Sequence, residues 1–260
     1  MRVLAFVLLA AGAFQEPAAE SPLVRARARF EEARIAERNG GDFDTPGKAA
    51  IAAFDEAVKA DPASAEARAG RGDVRAAMAA WRMPRGDFSK RAEFEAAIAD
   101  YDEALKLDPT RAATFAGRGF ARFKLSVARF FARVHVDELF RTGFEDLDQA
   151  VKLLPADASL RILRGDAQQE KAVYARYRAD PHKAYAEAAL TEYAEAARLD
   201  PATGPGLESR VAASKRLAGL PAAVDDKGLS IAWTRTWEEA RREAAIRRVP
   251  IFIYVSGGAG

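Results

Sequence analysis

Few side chains in this sequence are of the kinds that carry covalent or acid–base chemistry, and those few lie apart. The two histidines, His135 and His182, fall in separate turn-like segments. Metal binding or general-base work at either would need carboxylates brought in from elsewhere in the fold. There is no cysteine, which excludes disulfides, thiolate metal sites and a thiol nucleophile, and leaves the redox compartment open. The acidic runs Asp100-Asp102-Glu103 and Glu145-Asp146-Asp148 are expected to be solvated helix faces rather than catalytic dyads. Gly257-Gly258 follows a strand-like run, but no phosphate-loop lysine and no helix accompanies it. No catalytic, cofactor-binding or metal-ligating residue is therefore assigned, and no cofactor is expected.

Aromatic and arginine side chains do mix at three places. Trp81, Arg82 and Arg85 form one group. Arg129, Phe130, Phe131 and Arg133 form the next, and Tyr174, Arg176, Tyr177 and Arg178 the last. Such mixtures anchor protein interfaces. They also arise when rings pack an interior while guanidinium heads stay in water. The sequence leaves both readings open, and Trp81, Arg82, Arg85, Phe131 and Tyr177 stand as candidate partner-binding residues.

The elements that must position these groups come from an internal repeat. The stretch 97–119, AIADYDEALKLDPTRAATFAGRG, has a counterpart upstream at 50–72 and others downstream at 143–165 and 189–201. Pro62, Pro109, Pro155 and Pro201 are spaced by 47, 46 and 46 residues, and Arg-Gly recurs at 71/72, 118/119 and 164/165. A fixed period on this scale marks a stacked array of supersecondary units. Within one unit, Ala97, Ile98, Tyr101, Ala104 and Leu105 fall at helical spacing. Asp108-Pro109 then stops the helix, because the residue before proline is pushed out of the α region. Thr110 is read as the N-cap of the next helix. A glycine inside that next helix costs about 1 kcal/mol against alanine, and its recurrence points to close approach between helices.

These units resemble the tetratricopeptide repeat family. The family pattern of small, large, small and proline residues appears as Ala97, Tyr101, Ala104, Pro109. It recurs as Ala50, Phe54, Ala57, Pro62, as Gly143, Leu147, Ala150, Pro155, and as Ala189, Tyr193, Ala196, Pro201. Phe115 and Gly119 supply the large residue and glycine expected in the following helix. The resemblance spans residues 22–218 and implies an all-α solenoid of about four antiparallel helix hairpins. The family period is 34 residues, so each hairpin here is longer by about twelve; shared between two arms, that adds about 9 Å to each at 1.5 Å per residue. The resemblance also implies a concave face that holds peptides, with Asp73, Phe120, Lys124, Asp166 and Gln169 near it. The lysine and asparagine set that grips a C-terminal carboxylate in part of the family is not matched.

Taken in order, residues 1–19 read as a signal peptide and linker: Met1 to Ala13 has one arginine, an apolar run and a small-residue end, too short to span a bilayer comfortably. Export to the periplasm or outside the cell is expected, with a membrane tether if the leader stays attached, and no other membrane span. The first hairpin pairs residues 22–38 with 49–60 across a turn at 39–47. The next helix runs 64–82 with a tip at 83–87. The third hairpin rises to about Val134 and turns at 135–142, and the fourth rises to Tyr177 and turns at 179–181. The segment 201–206 breaks the array, and a helix at 207–217 closes it, with Val211 where earlier units have glycine. With 40 basic and 38 acidic residues, no bulk charge suggests nucleic acid.

Residues 225–260 change character. Leu229–Trp233 and Val249–Val255 read as strands around a helix at 236–248, a βαβ unit. Ile231, Trp233, Trp237, Glu238, Glu239, Ala240, Arg248, Pro250 and the run to Val255 look like the opening of a thioredoxin-like domain, without its dithiol. Three functions follow as expectations. The first is an exported scaffold that binds another polypeptide and catalyses nothing. The second is the N-terminal adaptor of a thioredoxin-like thiol–disulfide oxidoreductase. The third is a structural envelope component that associates with itself.

Overall fold

A computed structural model describes residues 20–83, 91–130 and 136–220, with backbone only at Phe130. The leader reading of 1–19 and the strand–helix–strand reading of 225–260 lie outside the described residues. So do Arg85, Phe131 and His135.

The described residues form helices joined by short turns: α1 (Pro22–Arg38), α2 (Asp44–Ala60), α3 (Ala65–Arg82), α4 (Arg91–Leu107), α5 (Ala112–Phe130), α6 (Asp137–Leu153), α7 (Ala158–Tyr177), α8 (Lys183–Leu199) and α9 (Gly204–Ala218). A 3₁₀ turn, Pro201–Thr203, links α8 to α9. Side chains start several of them. Ser21 and Ser64 accept the N–H of Val24 and Ala67, and Asp157 accepts those of Ser159 and Leu160, each satisfying a donor the helix cannot use itself. Gly219, at φ 74°, ends α9 in the left-handed conformation.

The Asp-Pro stops work through the aspartate as well as the proline. Asp61, Asp108 and Asp200 each accept the N–H two residues on, at 3.0–3.1 Å. This corrects the reading of Thr110 as a cap, because its hydroxyl donates to Asp108 at 2.6 Å instead. Two turns are also shorter than the sequence suggests. α2 begins at Asp44, with Asp42 accepting the Asp44 and Thr45 N–H groups and Pro46 tolerated in the first turn. α6 begins at Asp137, because the segment 137–142 contains no proline or glycine before Gly143 to stop a helix growing back toward the tip. Among the described residues the hairpin arms are continuous helices of 17 to 20 residues in α1 through α8.

Helices pack most closely as the pairs α1–α2, α3–α4, α5–α6 and α7–α8. The odd-numbered inner helices also touch one another in sequence, from α1 to α9, and so form one layer, with the even-numbered outer helices behind it. The repeat signature is the core between layers. Ala50, Phe54, Ala57, Ala97, Tyr101, Ala104, Leu147, Ala150, Ala189, Tyr193 and Ala196 are all buried, none more than 3% exposed.

Candidate functional site

Each Arg-Gly dipeptide does two jobs at a hairpin. The glycine lets the large residue of the outer helix lie against the inner helix: a Cβ on Gly165 would sit 2.5 Å from the Tyr193 ring, and one on Gly72 3.0 Å from Tyr101. The arginine joins successive repeats. Arg118 meets buried Asp146 of its own hairpin through two nitrogens, at 2.6 and 3.0 Å, and Asp102 of the preceding one at 2.6 Å. Arg71 does the same with Asp100 and Asp55, and Arg164 with Glu192 and Asp148. Arg75, Arg122 and Arg161 add a second cation to each buried acid. The acidic runs are therefore not wholly solvated faces. Asp100 and Asp146 are 4% and 3% exposed, and a buried carboxylate requires such partners. Burial lifts the Asp146 carboxyl above its ordinary range, and Arg118 and Arg122 pull it back.

The residue after each Arg-Gly looks the other way, onto the inner-helix face. These residues are Asp73, Phe120 and Asp166. Tyr101 donates its hydroxyl to Asp73 at 2.8 Å, and Tyr193 donates to Asp166 at 2.9 Å. Where the outer-helix residue is Leu147 and has no proton to give, Phe120 takes the aspartate's place. Burial, then the facing carboxylate, holds both phenolic protons on, far above the usual tyrosine range.

These residues line a run of cavities along the inner helices. The most voluminous of the three described, about 680 Å³, is bounded by four of the inner helices, α1, α3, α5 and α7, with Phe30, Trp81 and Phe120 among its rings and Asp73, Ala77 and Leu163 among its walls. A side pocket of about 130 Å³ opens beside Asp73 and includes Thr114, Arg27, Arg111 and Glu66. A third of about 190 Å³ lies between Phe120, Lys124, Asp166, Gln169 and Arg210. The sequence-chosen residues Asp73, Phe120, Lys124, Asp166 and Gln169 thus come together along one face. Within it, Lys124 pairs with Glu170, Arg210 donates to Asp166 at 2.8 Å, and Gln169 accepts from Ser214 at 2.9 Å.

Asp73 differs from these. More than a third of it is open to water, yet helices surround it, and that enclosure pushes its carboxyl up to about 6, against the lowering pull of the Tyr101 hydroxyl, Arg111 and Arg34. Its water-facing side tempers the effect.

The tip candidates separate. Trp81 is half-buried, its ring 6.4 Å from that of Phe43, and it also borders the large cavity. Arg82 is buried at 8% and paired with Asp44 and Glu93, so its guanidinium is engaged inside the fold and is not the wet head expected of a tip arginine. Tyr177 is 65% exposed. Lys171, which carries no signal in the sequence, lies 4.5 Å from the Phe140 ring centre and 4.9 Å from that of Tyr174, a cation held by aromatic faces. His182 precedes α8, its Nδ1 3.3 Å from the Asp180 carbonyl oxygen. Among the described residues no cluster of three metal-ligating side chains occurs, and no helix is long and apolar enough to cross a membrane.

Comparison with known proteins agrees with this geometry at the level of fold. A solved tetratricopeptide repeat protein of Thermus thermophilus superposes with a TM-score of 0.50 at 15% identity, over 75% of this chain and 83% of that one. The chain has a tetratricopeptide-like helical-repeat fold. No family model and no curated protein matches the sequence.

Proposed function

We propose that this tetratricopeptide-like protein is an exported scaffold that holds another polypeptide against its inner-helix face and performs no catalysis of its own. The observation that carries this reading is the large cavity. Four inner helices contribute to it, and its half-buried rings Phe30, Trp81 and Phe120 pack against the core and also line the cavity. Apolar rings next to polar side chains form the usual make-up of a peptide-binding groove. Lys124, Asp166 and Gln169 would extend contacts toward α9; Tyr177, Arg85 and Phe131 remain candidates for a separate contact at the tips. Export rests on the leader-like residues 1–13, and places the partner in the periplasm or outside the cell.

A photo-crosslinking amino acid at Ala77, in the groove, tests this against one at Glu103, exposed on the outer helix α4. In envelope extract, the groove position should capture a discrete partner and the outer position should not. Equal labelling at both would refute the reading. The pattern Trp233–Val255 favours a second role, as the substrate-recruiting part of a thioredoxin-like oxidoreductase. Coding sequence that supplies a dithiol soon after Gly260 would support it.

A further inference from the structure

We infer, on the strength of the groove reading above, that the polypeptide held there presents a lysine or arginine beside large apolar side chains, with its cation seated at Asp73 and Thr114. Three observations converge on this class of partner. The first is charge. The large cavity is bordered by Glu37, Asp73 and Asp157 against the single cation Arg34 among its described lining residues, and Arg34 is drawn over the Phe30 ring at 5.8 Å.

The second is the state of Asp73 itself. Tyr101 fixes it from behind through Oδ1, which leaves the other oxygen for a ligand, and it forms no ion pair among the described residues. Four further cations along that face already have carboxylate partners within the protein. Lys124 has Glu170, Arg210 has Asp166, and the two cations of the side pocket, Arg27 and Arg111, share Glu66. An anionic partner would find each of these cations with a carboxylate already on it.

The third is Thr114. It is 1% exposed, it borders the side pocket with Asp73, and its hydroxyl oxygen has no hydrogen-bond partner among the described residues. A buried polar atom of this kind is costly unless a donor reaches it. The side pocket is small, and its two arginines are taken up by Glu66, which leaves Asp73 and Thr114 to receive the head of a long cationic side chain, while Phe30, Trp81 and Phe120 suit apolar neighbours on the same peptide.

The test is selection of a random peptide library on the full chain, followed by titration of the winner as a capped synthetic peptide whose charged residue is kept, replaced by norleucine or replaced by glutamate. Selected peptides should pair lysine or arginine with leucine, isoleucine or aromatic residues, and the cationic form should bind about tenfold or more tightly than norleucine, with glutamate weakest. Asp73→Asn keeps an acceptor for Tyr101, so folding, followed by circular dichroism, should be unchanged while the lysine–norleucine gap closes. Thr114→Val, which keeps the shape, should narrow it. Ala77→Arg should abolish binding of every peptide. Equal affinity of the lysine and norleucine forms, or a gap that persists in Asp73→Asn, would overturn the cation seat while Ala77→Arg still shows a groove. Failure to select any peptide, or binding untouched by Ala77→Arg, would overturn the groove reading and this inference with it.

Discussion

Tyr101 and Leu147 hold the same place in successive repeats, and their surroundings differ in step. Tyr101 lies between Gly72 of its own inner helix and Gly117 of the next, where an added Cβ would come within 2.7 Å of its ring. Its hydroxyl needs an acceptor, and Asp73 supplies it. Leu147 touches Gly119 on its own side, but the position matching Gly117 is Leu163 and the position matching Asp73 is Phe120. Correspondingly α6 and α7 pack less closely than α4 and α5. A phenol demands room on both flanks and a hydrogen-bond partner; a leucine demands neither. The choice of one core side chain thus decides whether the groove floor carries a carboxylate or a ring.

What the two repeats share is the arginine bridge, and its loss should produce the largest effect in both. Asp100→Ala and Asp146→Ala each leave two arginines facing an emptied buried site, at a cost of about 3 kcal/mol. Asp55→Ala and Asp102→Ala remove the surface partners of the same arginines, 52% and 42% exposed, and should cost less than about 1 kcal/mol. Urea unfolding of the four variants gives the comparison. A small, equal loss for all four would mean that the buried acids contribute no more than surface pairs.

The difference between the repeats is sharpened at the glycines. Gly117→Ala should destabilise by about 1–3 kcal/mol, because the ring it strikes is enclosed, even though alanine favours helix by about 1 kcal/mol. Gly206→Ala meets nothing within 4 Å and should be neutral or slightly stabilising. Melting curves would separate the two. Moving the third repeat's whole pattern into the second is a finer probe. Tyr101→Leu alone should lose about 1–3 kcal/mol through its cavity and the stranded Asp73. Adding Gly117→Leu and Asp73→Phe should restore a part of that, a coupling of about 0.5–3 kcal/mol expected only where residues touch. Simple additivity would show that the three positions are independent.

The hairpins were legible because proline, glycine and the small–large–small spacing act locally, and local rules do not need the partner helix to be known. Arg-Gly was visible as a recurrence, but its arginine's role was not, since Asp146 lies 28 residues from Arg118 and runs of acid look solvated until a neighbouring helix covers one member. The signal was present all the same: an acid directly before Tyr101, Leu147 and Tyr193, in phase with the arginine. The groove residues followed from register alone. Thr114 and the match of Tyr101 with Asp73 did not, because they depend on which face the next repeat turns inward. The early start of α2 was missed because glycine, aspartate and proline at 39–47 were taken as turn formers where the chain continues a helix; the turn drawn at 135–142 held no proline to fix its end, and α6 grows back through it to Asp137.

The smallest expected effect concerns pH and distinguishes the second repeat from the third once more. Asp73 holds its proton more tightly in the folded chain, at about 6, than in the unfolded one, at about 3.9. Its contribution to stability is therefore fully present below about pH 4 and is lost as pH rises through about 6. Asp73→Asn abolishes that titration, so relative to the native chain it should gain stability between about pH 4 and about pH 7. Because water reaches the carboxylate's open side, the gain should fall well short of the roughly 1.4 kcal/mol per pH unit that linkage allows a sealed group. Phe120→Asn alters the matching position of the next repeat, where no carboxylate stands, and should shift stability by the same amount at every pH. Unfolding midpoints of the two variants at a series of pH values decide the matter. If both run parallel to the native chain, Asp73 lies in an environment as wet as an open helix face, and the enclosure that distinguishes the groove floor from that face is absent.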